Sequence, residues 1–309
     1  MAIRTSSTSN FKKFFLKILL PFTVCAVVFG FAFQYVFEKK IILNSQINGS
    51  YKVNRIINSV NINEIPIFGS SRAEGGFVPS ILGPNYFNYG IAGTQDNVML
   101  FFLKEECRKN KETPILINFD IDGFSYALGD IASYIYNSEY IPVKKLIGEK
   151  DEPIFRIPFL KYFGYYEYYF KMYLNAKINL TKKTDNGASL ELNHHITEKF
   201  NELVSKRLAA SARFRNEVDL ESEFINIIKN NPKRTFILAI SPYHKSYFNK
   251  FKNYQDVTSY ITKIRTLVNV KVFDFSHVNY PDNMFMNTTH LNYVGAQRFT
   301  EELKDSISQ

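Results

Sequence analysis

A chain of 309 residues, 45% of them hydrophobic, is long enough for one substantial core and too apolar to be disordered. Its net charge of +9, from 38 Lys and Arg against 29 Asp and Glu, calls for an anionic neighbour such as a lipid headgroup or an acidic glycan. Two cysteines exclude a disulfide scaffold, and no Cys or His falls at metal-ligand spacing, so neither a metal nor another cofactor is expected.

The first predicted element removes nucleic acid from the partners that charge alone would allow. Residues 18–37 carry no charge, and roughly 20 such residues span a bilayer as a helix. Arg4, Lys12, Lys13 and Lys17 lie before the run; Glu38, Lys39 and Lys40 follow it. The heavier positive charge on the N-terminal side predicts a cytoplasmic tail over 1–17, a transmembrane anchor over 18–37 and an extracytoplasmic remainder. A cleaved signal peptide is the alternative, but its apolar region usually has only ~7–15 residues. Cys25 also follows Val24, not the small residue of a lipoprotein cleavage site.

Residues 38–62 read as a polar linker with a short helix, and 63–309 as the outer domain. Within that domain short apolar runs alternate with amphipathic stretches. Strands are predicted at 65–68, 86–89, 114–119, 235–240 and 270–273, the first two closed by Gly69 and Gly90. Helices are predicted at 97–108, where Val98, Phe101, Phe102 and Glu105 keep helical spacing, and at 257–268 and 294–307. This order makes an α/β fold, a parallel sheet with helices on both faces. Such sheets bind ligands at the carboxyl ends of their strands. Ser70, Ser71, Gly90, Gly93, Asp120, Asp122, Ser241 and the 287–290 loop therefore share one rim.

An aromatic-rich insertion at about 124–220 separates the third strand from the fourth and is too long for an ordinary loop. Its stretch FRIPFLKYFGYYEYYFKMYL reads first as a helix packed on the domain, second as a membrane-facing surface, third as a sugar-stacking platform. His194 and His195, further along, read as solvated surface residues.

Three segments of the rim carry chemistry together. In IFGSSRAEGG a strand runs into Gly69-Ser70-Ser71 and a helix start, which holds a serine hydroxyl at the rim beside backbone amides that can stabilise an oxyanion. Serines at such turns more often only cap the helix. In NYGIAGTQDN, Gly90 and Gly93 let a backbone amide approach a substrate, or simply serve the turn. In NTTHLNYVGAQRF, His290 stands before the final helix, within reach of Ser71, and Asn287 three residues earlier is placed to accept a hydrogen bond from its ring. A serine needs such a base, and the base needs an orienting group.

These segments resemble the SGNH/GDSL-type hydrolase superfamily, most closely its membrane-anchored branch with the teichoic acid D-alanyl-transfer and alginate O-acetylation proteins. The resemblance rests on Gly69-Ser70-Ser71 and on the late block from Asn287 through His290-Leu291-Asn292 to Gly295, and covers about residues 63–122 and 235–305. It implies a three-layer flavodoxin-like sheet, Ser71 as nucleophile, His290 as base, and the amides of Ser71 and Gly93 as oxyanion donors. Two positions depart from the pattern. Asn287 stands where the family has Asp, a change that costs serine proteases about 10⁴ in rate, although Cys-His-Asn sites work. Asp282 is a substitute orienter if its loop folds back. The third block reads INFDIDGF, where ionised Asp120 and Asp122 cannot donate to an oxyanion.

The expected function is that of a membrane-anchored esterase or O-acyltransferase acting on a cell-surface polysaccharide. A single span cannot carry acyl groups outward, so a transferase would need a multi-span membrane acyltransferase partner to present the acyl donor. The alternative is a catalytically impaired protein that uses the same fold to bind a glycan or that partner. A nucleotide-binding α/β domain fails for want of a Gly-rich phosphate loop.

Overall fold

The computed structural model describes residues 7–309 apart from 43, 45, 47–48, 60, 95, 126–156, 158, 161, 165, 179–181, 193–195 and 197–211. Most of the aromatic-rich insertion's flanks, and His194 and His195, lie outside the described residues.

One long helix opens the chain: α1 (Ser7–Phe14), a π turn at Phe15–Leu19, α2 (Leu20–Phe37) and a second π turn at Glu38–Ile42. From Phe11 to Ile42 it is long and apolar enough to cross a membrane, and almost none of it is buried by protein. The helix outruns the uncharged stretch at each end because Lys12, Lys13, Lys17, Lys39 and Lys40 are compatible with helix and can extend their amines toward water.

The stretch expected to be a linker contributes α3 (Gly49–Asn58), and it is part of the core. Val53 and Ile56, one helical turn apart, are fully buried on the sheet.

The sheet has five parallel strands: β1 (Ile65–Phe68), β2 (Tyr86–Asn88), β3 (Ile115–Asn118), β6 (Phe236–Ile240) and β7 (Val270–Asp274). Their spatial order is β2-β1-β3-β6-β7. The inner strands β1, β3 and β6 read as unbroken apolar runs because they bury both faces, whereas the edge strand β7, with Lys271 in it, is only partly buried. Phe68, Ile117 and Leu238 face one core with α3, α6 (Asp96–Cys107), α8 (Val218–Lys229) and α10 (Tyr254–Arg265). Ile67, Leu116 and Ile237 face the other, with α4 (Ser71–Gly76), α5 (Pro79–Leu82) and α11 (Tyr293–Ser308).

Chain order reverses between β1 and β3, so the crevice at that point lies where Ser71 and Asp120 leave their strands.

Within the insertion, α7 (Tyr166–Ile178) precedes an antiparallel hairpin of β4 (Lys182–Asp185) and β5 (Ala188–Glu191). Its turn is Asn186-Gly187, both at positive φ, the backbone that a two-residue hairpin requires. The aromatic helix does not join either sheet core. Tyr162 and Tyr169 bury themselves with Phe37 and Ile42 of the first helix, in a cluster apart from the sheet, which corrects the expectation of packing on the domain.

Candidate active site

The turn after β1 separates the roles of its two serines. Gly69 holds φ at +144°, and a Cβ there would stand 2.8 Å from that of Ala73, so only glycine lets α4 turn this tightly. Ser70 is the helix cap: its Oγ accepts from Arg72 N–H and donates to Asp120 Oδ2 at 2.7 Å. Ser71, the first residue of α4, points elsewhere. Its Oγ lies 2.7 Å from His290 Nε2, across 219 residues of sequence.

His290 is held by its own loop. Met286 N–H and Asn287 N–H donate to the His290 carbonyl, and Asn292 caps α11 by accepting from Gly295 N–H at 3.1 Å. The Asn287 Oδ1 accepts from the backbone N–H groups of Thr289 and His290, each at 2.9 Å, and lies 3.0 Å from His290 Nδ1. Because those two backbone donors identify the oxygen, the ring must present Nδ1–H to it. The Nε2 lone pair is then free to accept the Ser71 hydroxyl proton. The side chain of Thr289 adds a hydroxyl 2.9 Å from Nδ1.

The electrostatics are unusual for such a pair. Burial first, and the Arg72 cation second, together push the His290 pKa down to about 4. The imidazole is thus neutral, as a base must be, but the charged form it would take in a reaction meets an amide and a cation, with no carboxylate against Nδ1.

Arg72, which sequence reasoning passed over, ties the rim together. Its Nε lies 2.9 Å from Asp120 Oδ1, its other nitrogens donate to the Ser241 and Thr289 carbonyls, and its guanidinium stacks on Tyr243 with 3.5 Å to the ring centroid. One residue thereby joins the ends of β1, β3 and β6 to the histidine loop. Asp120 also accepts from Asn118 Nδ2 at 2.7 Å, so the Asn at the end of β3 is already engaged. Asp122 accepts from the Tyr247 hydroxyl at 2.6 Å, and burial pushes its pKa up to about 6.

Asp282 does not turn back to His290. It faces His244 Nε2 at 3.1 Å instead, because His244 Nδ1 accepts from Ser246 N–H to start the short helix α9 (Lys245–Phe248) and leaves Nε2–H to donate. The condition on which Asp282 would substitute for Asn287, a loop folded back to His290, is therefore not met. Its partner His244 still serves the site, since His244 N–H donates to Thr288 O and pins the loop.

Gly93 lies exposed in the turn after β2, with φ at +77°. That turn docks on the serine turn: Ile91 N–H meets Gly69 O, and Ala92 N–H donates to Glu74 Oε2 at 3.0 Å. Beneath them sits the fully buried Lys52 of α3, 3.3 Å from Glu74 Oε1 and bonded to Gly90 O. Gly90 itself admits no side chain, since a Cβ would stand 2.6 Å from Glu74 N. Nothing in the sequence marked Lys52, which occupies a stretch read as linker.

Among the described residues no cluster of three or more His, Cys, Asp or Glu is disposed to hold a metal. No protein-family model matches the chain, and no curated protein matches it.

Proposed function

We propose that this chain is an SGNH-type serine esterase or O-acyltransferase, anchored by its first helix and acting outside the cell on acyl esters of a surface polysaccharide. The observation that carries this reading is the 2.7 Å contact of Ser71 Oγ with His290 Nε2, the ring nitrogen left without a proton by the Asn287 contact. The strand order supports the fold: set the hairpin aside and the five parallel strands run 2-1-3-4-5, the flavodoxin-like order, with the serine at the switch point.

In this mechanism His290 Nε2 takes the Ser71 proton as Oγ bonds to the ester carbonyl carbon. The carbonyl oxygen becomes an oxyanion, facing the amides of Ser71 and Gly93. Collapse breaks the bond to the leaving atom, the polysaccharide oxygen in an esterase or the acyl donor's heteroatom in a transferase, which departs with the proton from Nε2. Water, or a hydroxyl of an acceptor sugar, then gives its proton to His290 and attacks the acyl carbon. Ser71 departs and recovers that proton. With water the product is a carboxylic acid; with a sugar hydroxyl the acyl group is transferred. A transferase would draw its acyl groups from a multi-span membrane partner.

A second reading, a non-catalytic protein binding a glycan or that partner, is favoured by the neutral Asn287 and the cationic Arg72 beside His290.

Labelling of the full-length protein in detergent with a fluorophosphonate, mapped by mass spectrometry, tests the first reading. An adduct on Ser71 that disappears in His290→Ala supports it. A folded protein that stays unlabelled turns the reading to binding.

A further inference from the structure

The described part of the insertion carries an apolar surface that the fold leaves uncovered. Ile157, Phe159, Leu160, Phe163 and Phe170 are all substantially exposed, Phe163 by 77%. A patch of this kind on a domain otherwise closed over two cores marks a contact surface.

Its position says what it contacts. The Phe159 ring stacks on Phe33 at 5.4 Å between centroids and lies 6.4 Å from Phe29. Tyr166 packs on Phe33 and Phe37, at 5.9 and 4.9 Å. Glu38 is the first charge after the apolar run, and Phe29 and Phe33 precede it by nine and five residues. At 1.5 Å per residue, Phe159 therefore sits roughly 7–13 Å along the helix from that charge, on the apolar side. A group so placed is inside the hydrocarbon if the helix spans the membrane.

The polar groups of the segment are arranged for that depth. The Tyr162 hydroxyl reaches Glu38 Oε1 at 2.7 Å, the level where the apolar run ends. Leu160 N–H and Phe163 N–H donate to Ile157 O and Leu160 O, so these backbone donors are satisfied within the turn. Farther along α7, Lys171 and Glu167 form an exposed ion pair suited to water or headgroups.

We infer that Ile157, Phe159, Leu160 and Phe163, with Tyr162 and Tyr166 at its boundary, form a second membrane element, an aromatic foot inserted among the acyl chains of one leaflet beside the anchoring helix. The inference rests on the reading of that helix as a membrane span and goes beyond it, since one helix alone neither requires nor explains an inserted insertion. The foot fixes the tilt and height of the domain, because two contacts with the bilayer leave far less freedom than one.

The protein contains no tryptophan, so one introduced Trp is an unambiguous probe. Phe163→Trp, Val28→Trp in the anchor and Val268→Trp on the 99% exposed surface are to be made separately in the full chain. Each is reconstituted at low protein density in phosphatidylcholine vesicles with brominated acyl chains, and quenching is compared with that by aqueous iodide. The expected result is that Phe163→Trp follows Val28→Trp, quenched several-fold by bromolipid and shielded from iodide, while Val268→Trp does the reverse. Iodide reaching Phe163→Trp, with Val28→Trp still quenched by bromolipid, overturns the foot and leaves the anchor. Shielding of Phe163→Trp from both quenchers overturns it in favour of a protein occupant. Iodide reaching Val28→Trp removes the anchor and the foot with it.

Discussion

Lys52 Nζ and Glu74 Oε1 face each other at 3.3 Å beneath the serine turn, one from the helix that follows the long apolar helix and one from the helix that begins with Ser71. Burial lowers the Lys52 pKa and Glu74 opposes that shift, the balance of a charged pair held out of water. Lys52→Met leaves Glu74 buried without its cation. The expected loss is about 3 kcal/mol of unfolding free energy, with partial recovery in the double variant carrying Glu74→Gln. Urea denaturation of the two variants checks this, and equal losses in single and double variants would show that the pair is not what the site rests on.

Restoring a carboxylate is expected to help. In Asn287→Asp the new side chain keeps its backbone donors and meets His290 Nδ1–H with a negative charge where the neutral oxygen now stands at 3.0 Å. The reverse change costs serine proteases about 10⁴, so a gain of at least about tenfold in the rate of fluorophosphonate labelling is expected. An unchanged or slower rate would mean that orientation alone limits the pair.

The depressed His290 pKa gives an acid limb far from the ordinary one. The labelling rate is expected to stay level down to about pH 5 and fall through about 4, because only neutral imidazole accepts the proton. Stability follows the same group. Its pKa in the unfolded chain is about 6.5, so between there and 4 the unfolded state binds more protons and stability declines as pH falls. His290→Gln removes this contribution, so its urea midpoint should change less between pH 7 and 4.5 than that of the native protein. A steeper dependence in the variant would contradict the assignment.

Asp282→Asn should leave labelling of Ser71 within about twofold, since Asp282 contacts His244 and not the His290 imidazole. A loss above tenfold would place a carboxylate in the reaction after all.

What the sequence made legible follows from the range of the interactions involved. The inner strands of the parallel sheet were readable because burial on both faces requires apolar residues throughout, as in Phe236–Ile240. Asn287 and His290 were readable as a pair because their contact is local, three residues apart. Lys52 was not, because a lone lysine on an amphipathic helix looks solvated until a carboxylate 22 residues later is folded beneath it. Asp282 misled for the same reason: it is near His290 in sequence, but its partner is set by His244, 38 residues earlier. The hairpin after α7 did carry a signal, Asn186-Gly187, obscured by the polar run Lys182–Asp185 on one side of it.

The separation of 219 positions between Ser71 and His290 also orders events in the life of the chain. A ribosome delivers the serine long before the histidine, and β6, β7 and α11 must join the sheet before the two can meet. A nascent or C-terminally clipped molecule carries Ser71 without His290 against it, and on the proposed function it has a nucleophile without a base. On the proposed function, competence to react is the last thing synthesis confers and the first that proteolysis near the final helix removes.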